Sequence, residues 1–342
     1  MIVGVCGLGY TGSGAVLDYL KEFDDNFVID KMEFALAYSP DGIADLEYHL
    51  MNPSRYFSSD IAIRRFKKYI KVKYTPRSGY RLATKGKFKY LTDNYINSLI
   101  HVSWKGAWSF DAVDYFVLFR KCIMPVLYRI QLLSDRLFKR FIPICPERIM
   151  YLSVCPDDFL SLTRNYVDKV LKSAGAKPDK NVVLDQPFAG DYPERSFKYF
   201  NDPVAIIVDR DPRDLYILAK KVLLSDGRFI PTDNVYKFIK YYRELRSFDK
   251  FKNDESKVLR IKFEDLVYEY EKTSQQIDAF LGLKAHTKIK QHFNPSRSIN
   301  NTQLIKKYPE FNHDIKIIEE NLKEFLYPFD FYKINLGKSK IF

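Results

Sequence analysis

Four glycines in eight residues, Gly7, Gly9, Gly12 and Gly14, stand between an apolar run, Ile2-Val-Gly-Val-Cys6, and an amphipathic segment from Ala15 to about Phe23. A glycine-rich turn between a strand and a helix start suits an anion. Backbone N–H groups can approach its oxygens, and the helix dipole adds partial positive charge. A tight turn that binds nothing is the plain alternative, but so many glycines are costly unless backbone must come close to something. A second group of chemical interest follows the most strand-like run of the chain, Val204-Ala-Ile-Ile-Val208, in Asp209-Arg-Asp-Pro-Arg-Asp214. Arg210 and Arg213, at a strand end, can fork onto a phosphate. The same residues also make an ordinary capping turn, with Pro212 in a first helical turn and Asp214 near its positive end.

The loop admits two other readings. Gly7-x-Gly9-x-x-Gly12 with Asp30 downstream matches a dinucleotide fingerprint of NAD-type oxidoreductases. That reading requires strand–helix alternation through residues 40–120, where the sequence is instead basic, aromatic and helical. A nucleotide-hydrolysing loop needs Gly-Lys-[Ser/Thr] where Ser13-Gly14 stands, which argues against ATP hydrolysis.

The elements that must position these residues follow from the apolar pattern. Residues 2–6 and 27–30 read as strands around the first helix, giving β-loop-α-β, the opening of an α/β nucleotide fold. Alternation returns after a long interval. Helices are expected at 166–174, 193–200, 215–224, 233–250 and 268–281, and strands at 181–184, 204–208 and 257–262. The interval 55–150 is dense in Lys, Arg and Tyr, and reads as a largely helical insertion into a single 342-residue domain.

In this order the sequence resembles the sulfotransferase family, enzymes that use 3′-phosphoadenosine 5′-phosphosulfate (PAPS). The matching segments are Gly7 to Ala15, Arg210-Asp-Pro-Arg-Asp214, Phe263-Glu-Asp-Leu266 and Phe280-Leu-Gly282, covering roughly 1–50 and 180–300. The set is most similar to bacterial members associated with cell-surface polysaccharides. The resemblance implies an α/β, P-loop-like three-layer fold with a central, mostly parallel sheet. It implies PAPS as co-substrate, with no metal, held by Gly9, Tyr10, Thr11, Gly12, Ser13, Gly14 and Ala15, by Arg210 as a 3′-phosphate ligand, and by Arg213. Arg297, in a stretch like the family's late donor-binding loop, offers a further cation. Tyr10 stands where the family carries Lys or Arg, and Leu218 where it carries a Ser. For the base that takes the acceptor proton, the family's positions fall on Glu33 and on Asp185, and both stay open. His101, beside Trp104, Lys105 and Trp108, is a weaker third.

Lys and Arg exceed Asp and Glu by 12, which calls for an anionic partner. A basic–aromatic stretch at 60–91 suits a carbohydrate acceptor, acidic or lipid-linked: rings lie on sugar faces while cations pair with acids. The amphipathic stretch 112–142 suits peripheral contact with an anionic membrane. No nucleic-acid recognition motif is present. Cys6, Cys122, Cys145 and Cys155 show neither zinc nor disulfide spacing, and no leader precedes the first strand, so a cytoplasmic setting is expected.

Overall fold

The structure, a computed structural model, describes residues 1–52, 58–106, 119–154, 156–247, 254–284 and 286–329. Trp108, Cys155, residues 112–118 and the end of the helix expected at 233–250 lie outside these. The chain divides into two compact units, one of residues 1–35 and 174–342, the other of residues 36–173.

The first unit opens with β1 (Ile2–Gly7), α1 (Ser13–Leu20) and β2 (Asn26–Glu33). The second unit then supplies α2 (Ile43–Met51), α3 (Ser58–Lys73), α4 (Gly79–Ala83), α5 (Phe88–Leu99), β3 (Val102–Gly106), α6 (Met124–Phe138), β4 (Arg148–Leu152) and α7 (Phe159–Ser173). The chain returns to the first unit with β5 (Asn181–Asp185), α8 (Glu194–Phe197), β6 (Pro203–Asp209), α9 (Pro212–Ile217), α10 (Val235–Arg246) and β7 (Val258–Lys262). It continues with α11 (Phe263–Tyr268), α12 (Tyr270–Leu281), α13 (Pro295–Ser298) and α14 (Asn312–Asn321).

Among the described residues of the first unit, five strands form one sheet in the order β2-β5-β1-β6-β7, and every pairing is parallel. The unbroken apolar runs of β1 and β6 follow from this, because a parallel sheet is covered on both faces. Val3 and Val5 turn to one face and meet Val16, Leu17 and Leu20 of α1 and Ile277 of α12. Gly4 turns to the other, where the Phe188 ring leaves no room for a Cβ. Phe188 in turn packs edge-on against Phe197 and Phe200. Burial of each such large side chain contributes about 1.5–3 kcal/mol.

The fold is therefore α/β with a central parallel sheet, as expected, and the strand order decides against the dinucleotide reading. In doubly wound dinucleotide folds β1 and β2 are neighbours. Here β5 lies between them, and among the described residues the chain between β2 and β5 adds no strand to the sheet.

Helix limits differ from expectation where local chemistry intervenes. Asp211 and Pro212 start α9 three residues early, and it passes at Leu218 into a wider π turn, Leu218–Val222. The helix expected at 268–281 is α12, which starts two residues later, after a break at Glu269 that separates it from α11.

The second unit is mostly helical but also holds an antiparallel ribbon, β3–β4. Its limits, 36–173, are wider than the 55–150 expected of the insertion. Ile63, Phe66 and Ile70, one face of α3, are buried. Tyr95 of α5 stacks on Tyr166 of α7 with centroids 4.5 Å apart. Buried Asp60 ties α3 to the ribbon, accepting from Arg64 Nε at 3.0 Å, Arg148 Nη2 at 3.3 Å and the Tyr151 N–H at 3.0 Å. His101 sits on the surface with Nδ1 accepting from the Val154 N–H, a satisfied surface histidine. On α6 and its N-cap, Ile123, Val126, Ile130, Leu133 and Leu137 are exposed at helical spacing. Among the described residues no helix is long and apolar enough to cross a membrane.

Candidate functional site

β1 delivers the chain to the C-terminal edge of the sheet, where residues 7–12 turn back into α1. The turn needs left-handed backbone at three positions: Gly9 (φ +89°), Tyr10 (φ +54°) and Gly12 (φ +100°). Only glycine takes the first and last without strain. Gly12 is additionally held against Phe263, the first residue of α11, so closely that a Cβ there would lie 2.6 Å from its ring.

As the N-cap of α1, Gly12 offers no side chain to the first helical N–H groups, and the first turn carries no acid. The positive end of α1 is thus left to whatever enters the loop. Thr11 is 1 % exposed, and its Oγ1 finds no partner. A buried hydroxyl without a hydrogen bond costs about 1–3 kcal/mol, which a ligand oxygen would relieve.

Arg210 closes the site from β6. It is buried at 3 % exposure, lies over the Phe263 ring, and donates from Nη1 to the Tyr10 carbonyl at 3.3 Å and from Nη2 to the Asn301 carbonyl. Its Nε has no partner. One guanidinium thus joins the loop, the end of β6 and the turn at 299–301, and keeps one N–H for a further acceptor. The adjacent Glu264 is fully buried and accepts from the Asp211 N–H at 2.9 Å. Burial, reinforced by the Asp211 charge and opposed by Arg210, pushes it up to about 8. Its protonated form is therefore favoured at neutral pH, and the buried Asp214 carboxyl also feels the charge of Arg210.

The rest of the second motif behaves as a capping turn. Asp211 caps α9 through the Arg213 N–H and also accepts from the Tyr327 N–H. Asp214 anchors the Gln303 and Leu304 N–H groups. Arg213 pairs with Asp211 and Glu319 and donates to the Tyr327 carbonyl. Its guanidinium is engaged by these three partners within the fold. Leu218 is wholly buried among Tyr216, Phe238 and Leu304.

Arg297 is exposed on α13, which packs on α11. Tyr10, in the place of a cation, stacks on Phe229 with centroids 5.4 Å apart. Ser13 accepts from Gln186 Nε2 at 3.1 Å. Gly14 lies open, with no atom within 4 Å of a Cβ placed there. Ala15 spends its N–H on the Gly12 carbonyl.

Glu33 and Asp185, distant in sequence, are direct partners at the ends of β2 and β5, and Asp185 also pairs with Val5 of β1. Asp185 is half-buried, and burial, then the charges of Glu33 and Asp30, push it up to about 6. Such a value suits a general base near neutrality. The residue that sequence reasoning missed is Gln186. With left-handed backbone (φ +48°) it turns back to the loop, accepting from the Gly7 N–H at 3.2 Å while holding Ser13. Its place directly after Asp185 was the available signal, but only the pairing of β5 with β1 reveals its role.

No family model and no curated protein matches the chain. Among solved structures, the sulfotransferase domain of the Synechococcus PCC 7002 olefin synthase aligns over 86 % of this chain and 76 % of its own, at 11 % identity and a TM-score of 0.41. The sulfotransferase domain of the curacin biosynthetic pathway gives 12 % identity and 0.41 over 86 % and 77 %. A sulfotransferase from Alicyclobacillus acidocaldarius gives 14 % and 0.37 over 93 % and 94 %. The overlays are loose, and it is the residues of the site that bear on function.

Proposed function

We propose that this chain is a sulfotransferase that moves a sulfuryl group from PAPS to a hydroxyl of a carbohydrate. The observation that supports it is the anion cradle: an uncapped helix start, an unpartnered buried threonine hydroxyl, and a buried arginine that braces the loop and retains a free N–H. The loop and Thr11 suit the phosphosulfate end of such a donor, while Arg210, read in the sequence as its 3′-phosphate ligand, and exposed Arg297 supply cations for its two phosphates.

PAPS, when bound, supplies a sulfur linked to a good leaving phosphate. The chain's own residues then have three tasks. The loop N–H groups and the α1 dipole hold the bridging region and stabilise charge growing on the phosphate, a contribution that needs no reorganisation at the moment of reaction. Arg210 adds the fixed positive charge that the loop lacks at Tyr10. Asp185 or Glu33 takes the acceptor hydroxyl proton as the new S–O bond forms and the S–O bond to phosphate breaks. Two carboxylates side by side repel each other, which keeps one of them basic enough for this.

Thermal unfolding with 3′,5′-bisphosphoadenosine, NAD or Mg²⁺-ATP tests the assignment. At 100 times its dissociation constant a ligand stabilises by about 2.7 kcal/mol. Stabilisation by bisphosphoadenosine alone, with sulfate transfer to a glycan hydroxyl, is the expected result. Stabilisation by NAD instead refutes the proposal. Bisphosphoadenosine binding with no transfer to any acceptor reduces the chain to a nucleotide-binding protein.

A further inference from the structure

The second unit contains a groove of about 720 Å³ within itself, lined by Arg64, Lys67, Lys68, Lys71, Arg148 and Tyr151. We propose that this groove binds an acidic oligosaccharide, one whose sugar rings carry carboxylates or sulfates. The proposal builds on the sulfotransferase reading by naming the acceptor class, yet the groove can be tested without any transfer reaction.

The cations are arranged, not scattered. Arg64, Lys67, Lys68 and Lys71 fall at i, i+3, i+4 and i+7 of α3 and so share one face, spanning about 10 Å of helix. Arg148 faces them from β4. Asp60, buried beneath, fixes both arginines, at 3.0 Å from Arg64 and 3.3 Å from Arg148. It is one carboxylate shared between two of the five cations, and among the described residues no carboxylate lines the groove. Lys67 is held over the Tyr151 ring, 4.9 Å from its centroid, and donates to its hydroxyl at 3.0 Å. Lys68 and Lys71 are exposed. A row of charge along about 10 Å of helix matches an extended polyanion better than a single phosphate.

The walls narrow the class. Val72 and Ile149 stand exposed at the rim, 67 % and 44 %. They give the apolar surface on which the C–H face of a sugar ring can lie between its charged groups. Single-stranded nucleic acid requires open aromatic platforms for its bases, and the groove's Tyr151 is already covered by Lys67. The structure also revises the sequence expectation. Arg65, a cation of the basic stretch 60–91, turns away from the groove to Asp41 at 2.6 Å.

The test is direct binding of a fluorescent heparin-derived hexasaccharide, with cellohexaose as the neutral counterpart, to the full chain. Two variants are compared with the parent: Lys68→Gln/Lys71→Gln in the groove, and Lys85→Gln/Lys87→Gln, exposed on the same unit outside it. We expect the groove pair to weaken hexasaccharide binding at least tenfold, and the outside pair less than threefold. Affinity should fall as salt rises, and cellohexaose should not bind. Both variants should unfold at the parent's temperature. Equal losses in the two variants would show a response to net charge alone and overturn the proposal. So would binding of phosphatidylserine vesicles or a single-stranded RNA that depends on Lys68 and Lys71 while the hexasaccharide does not bind. Bisphosphoadenosine affinity, measured on the same samples, reports on the sulfotransferase reading separately: its absence would refute that reading and leave the groove result standing.

Discussion

Arg210→Ala removes a side chain that acts on both folding and binding, and the two effects can be separated. The guanidinium satisfies the Tyr10 and Asn301 carbonyls from a site only 3 % exposed to solvent. A hydrogen bond from a charged group is worth about 1.5–3 kcal/mol. Part of that returns if water enters the space left behind, so a net loss of about 2–4 kcal/mol of stability is expected. At about 2–4 °C per kcal/mol for a unit of this size, the melting temperature should fall by roughly 5–15 °C. Bisphosphoadenosine affinity, measured by calorimetry well below that temperature, should fall tenfold or more, because the free Nε and the charge are lost together. Arg210→Lys should keep charge but not the planar fork, so it should recover affinity only in part while remaining less stable than the parent. If the Ala variant is destabilised but binds bisphosphoadenosine as the parent does, Arg210 is a structural tie and the cradle as described is wrong.

Turnover should rise as pH passes about 6, where Asp185 loses its proton, and Asp185→Asn should cost about 10²–10⁴ in rate with donor affinity kept. If Glu33→Gln shows that loss and Asp185→Asn does not, the base is Glu33; full activity in both removes the pair. Because the folded-state value of Asp185 is raised from 3.8, its contribution to stability is present below that pH and lost as pH rises through about 6. Chemical denaturation should therefore show the parent losing stability relative to Asp185→Asn across that window, and parallel curves would contradict the half-buried placement. Leu218→Ser, which installs the side chain sulfotransferases carry at this place, should lower stability by about 2–5 kcal/mol and leave bisphosphoadenosine affinity unchanged, since the site is core. A gain in affinity on calorimetry would show that position 218 reaches the ligand.

What the sequence determined by itself is the local part of this protein. The apolar runs of β1 and β6, the glycines between β1 and α1, and the Pro212 helix start are dictated by near neighbours, through backbone sterics and unbroken hydrophobicity. Gly9 and Gly12 could be read as a loop for an anion because only glycine takes their conformation cheaply. The tertiary structure decided which polar groups remain for a ligand. Arg210 and Arg213 are three residues apart and chemically alike, yet one reaches the Tyr10 carbonyl and the other is enclosed by Asp211, Glu319 and Tyr327. Nothing local distinguishes them, because their partners come from segments about 90 to 200 residues away, while only Asp211 is near. Glu33 and Asp185 could be named one by one but not as neighbours, since their pairing depends on β5 inserting between β1 and β2. Gln186 was marked only by its place after Asp185, because its work is done across a strand pair. The groove's charge was countable in the sequence. Its concavity, and the departure of Arg65 from it, come from packing α3 on the ribbon through Asp60, a long-range contact whose energy no local pattern carries.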